Sequence, residues 1–401
     1  MSQQEEENHD RVLISESRHG SHWTQTMRHR PLHSTSLPGR VLFIIGHLLL
    51  LPFTLLGVAL VFVLYHIWMR RARGYCPPDV KLHPGAQQII DTPDVSLPFV
   101  YGIRPQAQPI VSVVMPFYNR EDLVDWAVGS VLRQIVPPDV EIEIIAVDNG
   151  STDGTVEKLK RHPVRLVHCA QRGPGAARNA GIAAARAPIV AFTDSDCVVD
   201  TLWLMRLIEP FSDPDVLITG GHLEGLVQDG YVASFTNAAR LLDNFRFFSG
   251  SAYFPPFFAT ANAAYRKEAL DKVHGFDNNL WMSEDADLAW RVMDLDGKMV
   301  FVENAIVFHR HRETLQGLFG QAVDYGTASV AIFAKHRSRL QATAVISWQN
   351  LREFAWLPIG LALLPFRSKK DRRYEIYYTI WRAGFTLGTV RGSRKYKTLF
   401  F

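Results

Sequence analysis

The sequence predicts an α/β domain built on a mainly parallel sheet flanked by helices, with an N-terminal membrane segment before it and C-terminal helices after it. Three observations carry this expectation. Strand-length apolar runs alternate with amphipathic helical stretches from residue 110 to about residue 200. Three of those runs end in polar clusters, the side of an open parallel sheet on which ligands bind. Residues 41–69 contain no Asp, Glu, Lys or Arg and are mostly Leu, Val, Phe and Ile, long enough to cross a bilayer.

At 401 residues and 47% hydrophobic, the chain holds one large domain or two, plus attachments. Its formal charge of +3 comes from nearly balanced acids and bases, so the totals do not mark a nucleic-acid binder and no nucleic-acid partner is expected. Three scattered cysteines, Cys76, Cys169 and Cys197, have no metal-ligand spacing and argue against a disulfide scaffold.

In chain order, residues 1–38 are rich in acids, His and Ser, and read as a disordered tail. Residues 39–73 hold the membrane segment, either one span or, through Pro52, a re-entrant hairpin. Arg28, Arg30 and Arg40 on one flank balance Arg70, Arg71 and Arg73 on the other. A Pro- and Gly-rich linker covers 74–109. Strands are expected at 110–115, 142–147, 164–168 and within 187–197, with helices at 121–134, 155–161 and 176–185 between them. Further short strands fall at 300–303 and 305–308, and a helix at 313–335. Residues 313–401 read as a helical, partly membrane-interfacial region, because the apolar stretch 348–366 contains Arg352 and Glu353, and basic runs follow at 367–373 and 391–397.

The chemistry concentrates at the strand ends. The fourth strand delivers Asp194-Ser195-Asp196, two carboxylates one residue apart. Such a pair repels itself unless a cation sits beside it, and oxygen ligands suit Mg2+ or Mn2+. Strand one ends at Pro116-Phe117-Tyr118-Asn119-Arg120, and strand two at Asp148-Asn149-Gly150-Ser151-Thr152-Asp153-Gly154. The segment Gly173-Pro174-Gly175-Ala176-Ala177-Arg178-Asn179-Ala180-Gly181 opens a helix with small residues, and Arg178 adds a fixed cation that could meet a phosphate. It lacks the Walker lysine. A second acidic cluster, Ser283-Glu284-Asp285-Ala286-Asp287, suits a capped helix start as well as a catalytic role.

Together, Val113-Val114-Met115-Pro116-Phe117-Tyr118-Asn119, Val147-Asp148-Asn149-Gly150-Ser151-Thr152-Asp153-Gly154-Thr155, Gly175-Ala176-Ala177-Arg178-Asn179-Ala180-Gly181 and Thr193-Asp194-Ser195-Asp196 resemble the successive signatures of glycosyltransferase family 2. That resemblance covers roughly residues 110–312 and implies a GT-A (nucleotide-diphospho-sugar transferase) fold. It implies that Pro116, Phe117, Asn119 and Asp148 line the nucleotide pocket, with Asp148 accepting from the base. Asp194 would meet the ribose or the metal, Asp196 would hold the metal at the diphosphate, and His309 would complete the metal site, with His311 as its rival. Asn262, in a small-residue strand, would bond a donor sugar hydroxyl. Asp285, ahead of Glu284, would act as general base on an acceptor hydroxyl.

Gln321-Ala322-Val323-Asp324-Tyr325-Gly326 stands where processive relatives carry Gln-x-x-Arg-Trp, so transfer of a single sugar is expected. The full expectation is a membrane-associated, metal-dependent, inverting transferase at the cell membrane, with its catalytic domain cytoplasmic. It would take a nucleotide-diphosphate sugar and a hydroxyl-bearing saccharide or lipid-linked acceptor, with membrane lipid as a further partner. A polyprenyl-phosphate sugar transferase and a catalytically silent nucleotide-sugar-binding scaffold are the alternatives.

Overall fold

The computed structural model describes residues 12–16, 82–92, 100–101, 109–138, 140–227, 230–249, 254–340, 364–366 and 368–400. The expected membrane segment at 39–73 lies outside these residues, as does most of the stretch 348–366. Among the described residues no helix is long and apolar enough to cross a membrane. The chain divides into two compact units with the boundary at His311 and Arg312, residues 230–235 belonging to the second.

The first unit is built on β3 (Val111–Phe117), β4 (Ile142–Asp148), β5 (Arg165–His168) and β6 (Ile189–Phe192), all mutually parallel where they pair. Their near-continuous apolar runs are those of strands covered on both faces. Between them run α2 (Val124–Leu132), α3 (Thr155–Leu159) and α4 (Pro174–Ala184). Gly181 lets α4 lie against β3, since a Cβ there would meet Val114 Cγ1 at 2.2 Å. Register aligns Phe117, Asp148 and His168 along one rim.

Beyond β6 the sheet continues through β9 (Ala263–Arg266), antiparallel, then β8 (Val216–Gly225) and β10 (Lys298–His309), which are parallel to each other. Because β9 reverses direction between β6 and β8, the carboxyl end of β10 returns to the rim where β3, β4 and β6 end. The two short strands expected at 300–308 form this one strand, whose register shifts between Val302 and Val307 around the polar pair Glu303-Asn304. The short strand β7 (Cys197–Val199) pairs antiparallel with β10 and sets Cys197 opposite His309.

Two regions read as tail and linker contain ordered elements. Val12–Glu16 forms β1, antiparallel to Lys298–Val302, and residues 74–109 contain helix α1 (Pro84–Asp91) and the two-residue strand β2 (Val100–Tyr101) beside β4. The core beneath the rim includes Trp203 of α5 (Trp203–Ile208), with Phe117, Ile144 and Val307. Each such large side chain, fully buried, contributes roughly 1.5–3 kcal/mol relative to exposure. Among the aromatics between Phe235 and Phe258, Phe258 is buried and stacks on Phe248 with 5.5 Å between centroids. Helix α6 (Tyr231–Ala238) straddles the division, its first five residues falling in the second unit, and in the first unit Asp243 caps α7 (Asn244–Phe248) by accepting from Phe245 N. Helices α8 (Lys267–Lys272) and α9 (Glu284–Met293) complete the unit.

The second unit contains two long helices, α10 (Leu315–Lys335) and α11 (Lys369–Lys395). Gly326 and Gly388 bring their backbones together: a Cβ on Gly326 would lie 2.0 Å from Phe385 O, and one on Gly388 2.1 Å from Val323 O.

Candidate active site

Strand ends supply the first wall. Asp148 closes β4, and its carboxylate accepts from Ser151 N at 3.0 Å and Gly150 N at 3.3 Å, with His168 Nδ1 3.4 Å away. Burial alone would raise its pKa, but these hydrogen bonds outweigh burial and hold Asp148 below the ordinary carboxylate value. Asn119 takes a left-handed conformation, φ 50°, which Asn tolerates. Its Oδ1 accepts from Thr152 N at 2.8 Å and its own N–H donates to Ser151 Oγ at 3.0 Å, so it fastens the loop after β3 to the loop after β4. Asn149 donates to the carbonyls of Cys169 and Gln171 and accepts from Gly173 N, fastening the third loop. Gly173, at φ 131°, starts α4 in a conformation that L side chains rarely adopt. Arg172 lies over the Tyr118 ring, 3.3 Å from its centroid. Pro116 is half-buried at this edge.

Arg178 departs from the expectation of a phosphate-facing cation. It is 5% exposed, and its guanidinium donates through one nitrogen to Asp194 Oδ1 and through another to Glu284 Oε1, both at 2.7 Å. Its two carboxylate partners come from the end of β6 and the start of α9. Burial works against the cation, yet the charges of Asp194 and Glu284 raise its pKa further. Glu284 is itself buried; that burial, then the neighbouring Asp285, pushes its pKa up to about 7 despite the ion pair. Asp285 is less buried, and its Oδ1 accepts from Ala286 N at 2.9 Å. Its pKa is also raised, mainly by desolvation, with Arg178 opposing and Asp194 adding to the rise. Ser283 precedes α9 with φ 61° and makes no side-chain cap, so the acids here are not explained by a Ser capping box.

On the other flank, Asp196 and His309 meet. Pairing of β7 with β10 sets His309 Nε2 3.6 Å from Asp196 Oδ1, and Arg310 N donates to Asp196 O at 2.9 Å. Asp196, Cys197 and His309 offer ligand atoms within 4.8 Å of one another. A carboxylate with an imidazole fits a divalent cation that keeps positions open for further oxygen ligands. Asp194 is not part of this group, because its carboxylate is directed to Arg178. His311 lies behind His309, Nδ1 to Nδ1 3.3 Å, and burial followed by its neighbour lowers its pKa to about 3, which keeps it neutral. Arg120 approaches Asp196 at 3.9 Å.

Two expected site residues belong to the scaffold instead. Asn262 is 0% exposed; its Oδ1 accepts from Trp203 Nε1, and its Nδ2 donates to the carbonyls of His222 and Ala305, all at 2.8 Å. No side-chain donor remains for a sugar hydroxyl, so this expectation is corrected. Phe117 directs its ring into the core and presents only backbone to the rim, its carbonyl accepting from Asn149 N. Trp281, which no motif marks, is 63% exposed and lies close enough that a Cβ at Gly173 would be 3.6 Å from its ring.

Against known proteins, residues 112–274 match the glycosyl transferase family 2 profile. Glycosyltransferase AglE of Haloferax volcanii is 30% identical over 215 residues, covering 51% of this chain and 68% of that protein. The pre-mycofactocin glycosyltransferase of Mycobacterium tuberculosis is 30% identical over 275 residues, 65% of this chain, and the chain spans only 56% of that relative's length. The solved mannosyltransferase PcManGT of Pyrobaculum calidifontis, in complex with GDP-Man and Mn2+, is 20% identical with a TM-score of 0.52, over 84% of this chain and 97% of that one. The sheet and its flanking helices are thus the GT-A fold, and the chain belongs to glycosyltransferase family 2.

Proposed function

We propose that this protein transfers a single sugar, with inversion, from a nucleotide-diphosphate sugar to a hydroxyl of a saccharide or lipid-linked acceptor in envelope polysaccharide or glycolipid synthesis. The observation that carries the reading is the Arg178 bridge, which joins the acid at the end of β6 to the acids at the start of α9. Asp285, less buried than Glu284 and at a positive helix end, takes the proton from the acceptor hydroxyl as that oxygen attacks the anomeric carbon. Arg178 keeps Glu284 and Asp194 apart from that proton transfer by holding both. Asp148 and the loops fastened by Asn119 and Asn149 form the rim for the nucleotide base, with the Tyr118 ring beside them.

Asp196 and His309 would hold a divalent cation, Mn2+ or Mg2+. Such a cation, when bound, offsets charge on the departing diphosphate. Imidazole ligation favours Mn2+ over Mg2+. His309 and His311 meet Nδ1 to Nδ1, and the tautomer in which His309 Nδ1–H donates would leave its Nε2, which faces Asp196, free to take the cation. The apolar sequence at 41–69 supports attachment to the cell membrane, with the catalytic unit on the cytoplasmic side where nucleotide sugars are made.

A screen of UDP- and GDP-sugars for hydrolysis in the presence of Mn2+ tests the proposal. One donor should be turned over, with activity lost in Asp196→Asn. Failure of every donor to bind or turn over would sink the transferase reading in favour of a silent scaffold.

A further inference from the structure

The second unit carries a surface at the end of α11 that lies outside the candidate active site. After α11 the chain reverses at Lys397, φ 47°, and folds back: Thr398 N donates to Ser393 O at 3.1 Å, and Phe400 N to Ser393 Oγ at 3.3 Å. Phe400 is 5% exposed and faces Phe333 with 5.4 Å between centroids, while Arg337 donates to Thr398 Oγ1. This pinned hook and the last turns of α11 enclose a groove of about 420 Å³, lined by Val390, Ser393, Arg394, Lys397, Leu399 and their neighbours.

Its floor and rim are chemically unlike. Leu399, next to buried Phe400, is 54% exposed, and Val390 is also exposed, so apolar surface faces outward where the chain is otherwise well anchored. Arg394 and Lys397 stand beside it with no carboxylate partner among the described residues, and exposed Arg391 and Lys395 flank them. Residues 331–340 and 388–400 contain no Asp or Glu at all. Cations with no carboxylate partner among the described residues, set around an apolar slot, complement an anion that carries a hydrocarbon chain. A free phosphate would leave Val390 and Leu399 uncovered, and Phe400, the aromatic side chain in the lining, is only 5% exposed and offers little open ring face on which a base could stack.

We propose that the groove between α11 and the hook at Lys397 binds an anionic diacyl phospholipid, its acyl chain against Val390 and Leu399 and its phosphate at Arg394 and Lys397. The proposal rests on the membrane attachment proposed above and names the side chains that meet the lipid.

The test is native mass spectrometry of the full chain released from detergent micelles doped with phosphatidylglycerol or phosphatidylcholine. Phosphatidylglycerol should remain bound at least tenfold more than phosphatidylcholine. The double variant Arg394→Gln with Lys397→Gln should drop to the phosphatidylcholine level, whereas Arg394→Lys with Lys397→Arg should retain the lipid. Leu399→Asn, outside the helix, should weaken retention without touching the charges, and it keeps the test decisive if the double variant misfolds. Equal retention of both lipids, unchanged retention in the glutamine variant, or displacement by inorganic phosphate or a short RNA at equal concentration would overturn the proposal. If the chain fractionates with membranes while the glutamine variant retains lipid like the wild type, the groove fails and the attachment stands.

Discussion

Replacing Arg178 with Met removes the guanidinium that holds Asp194 and Glu284 at 2.7 Å each while keeping an unbranched side chain in its place. Taking one partner from a buried ion pair costs about 3–5 kcal/mol, because a charge is left without compensation. Glu284 escapes part of that cost by binding a proton. Its folded pKa, already about 7 and so above the unfolded value, rises further without the cation. A carboxyl group of this kind stabilises the fold below its unfolded pKa, and the contribution is lost as pH rises through the folded pKa. The variant therefore goes on losing stability above pH 7, where the wild-type Glu284 has already ionised. Urea denaturation should find the variant destabilised by about 3 kcal/mol at pH 6 and by more at pH 8. A cycle with Glu284→Gln should give a coupling energy of about 2 kcal/mol. A pH-independent loss, or a coupling below about 0.5 kcal/mol, would refute the bridge as the joint between β6 and α9.

Other outcomes follow from the same geometry. Asp285→Asn should lower kcat by roughly 10²- to 10⁴-fold while donor KM changes little, as expected for a lost general base, and unchanged kcat would point to a phosphate acceptor. Because burial raises the Asp285 pKa, the acid limb of the wild-type kcat/KM profile should lie above the ordinary carboxylate range, with activity rising as the group ionises; a limb near pH 4 would contradict this. Asn262→Ala should destabilise the fold by about 3 kcal/mol or more, since it leaves Trp203 Nε1 and two buried carbonyls unpaired, and the folded fraction should keep its donor KM. Glu143, fully buried among Ser112, Arg165 and Arg186, has its pKa lowered because the hydrogen bonds from Arg186 and Ser112 and the Arg186 charge outweigh desolvation. Its contribution to stability is thus present above the ordinary carboxylate pKa and lost as pH falls below it, and Glu143→Gln should flatten the acid side of a stability profile measured by denaturation.

The rim was legible because turn chemistry is local. Asn119, Asp148, Gly150 and Gly173 sit where a strand must end, and their residue types announce it. Strand order was less legible, since nothing in Ala263–Arg266 reveals that it runs antiparallel between two strands that share a direction. The single strand from Lys298 to His309 reads as two because Glu303-Asn304 interrupts its apolar pattern at the register shift. The surroundings of Arg178 and Asn262 are not legible in the sequence for one reason: their partners are distant in it. Glu284 lies 106 positions from Arg178, and the groups that saturate Asn262 come from residues 203, 222 and 305. A polar residue near a rim reads as a ligand-binding residue until the fold reveals what already occupies it. The pairing that sets Asp196 beside His309 depends on a three-residue strand, too short for any periodicity to mark.

Calorimetric titration of UDP and GDP into the full chain, with and without Mn2+, bears most directly on the claim that carboxylates from separate motifs serve one nucleotide site. The account predicts that one of the two binds only with Mn2+, that Asp196→Asn weakens this binding at least tenfold, and that Asp285→Asn leaves it intact. Binding that is indifferent to both Mn2+ and Asp196→Asn would contradict it.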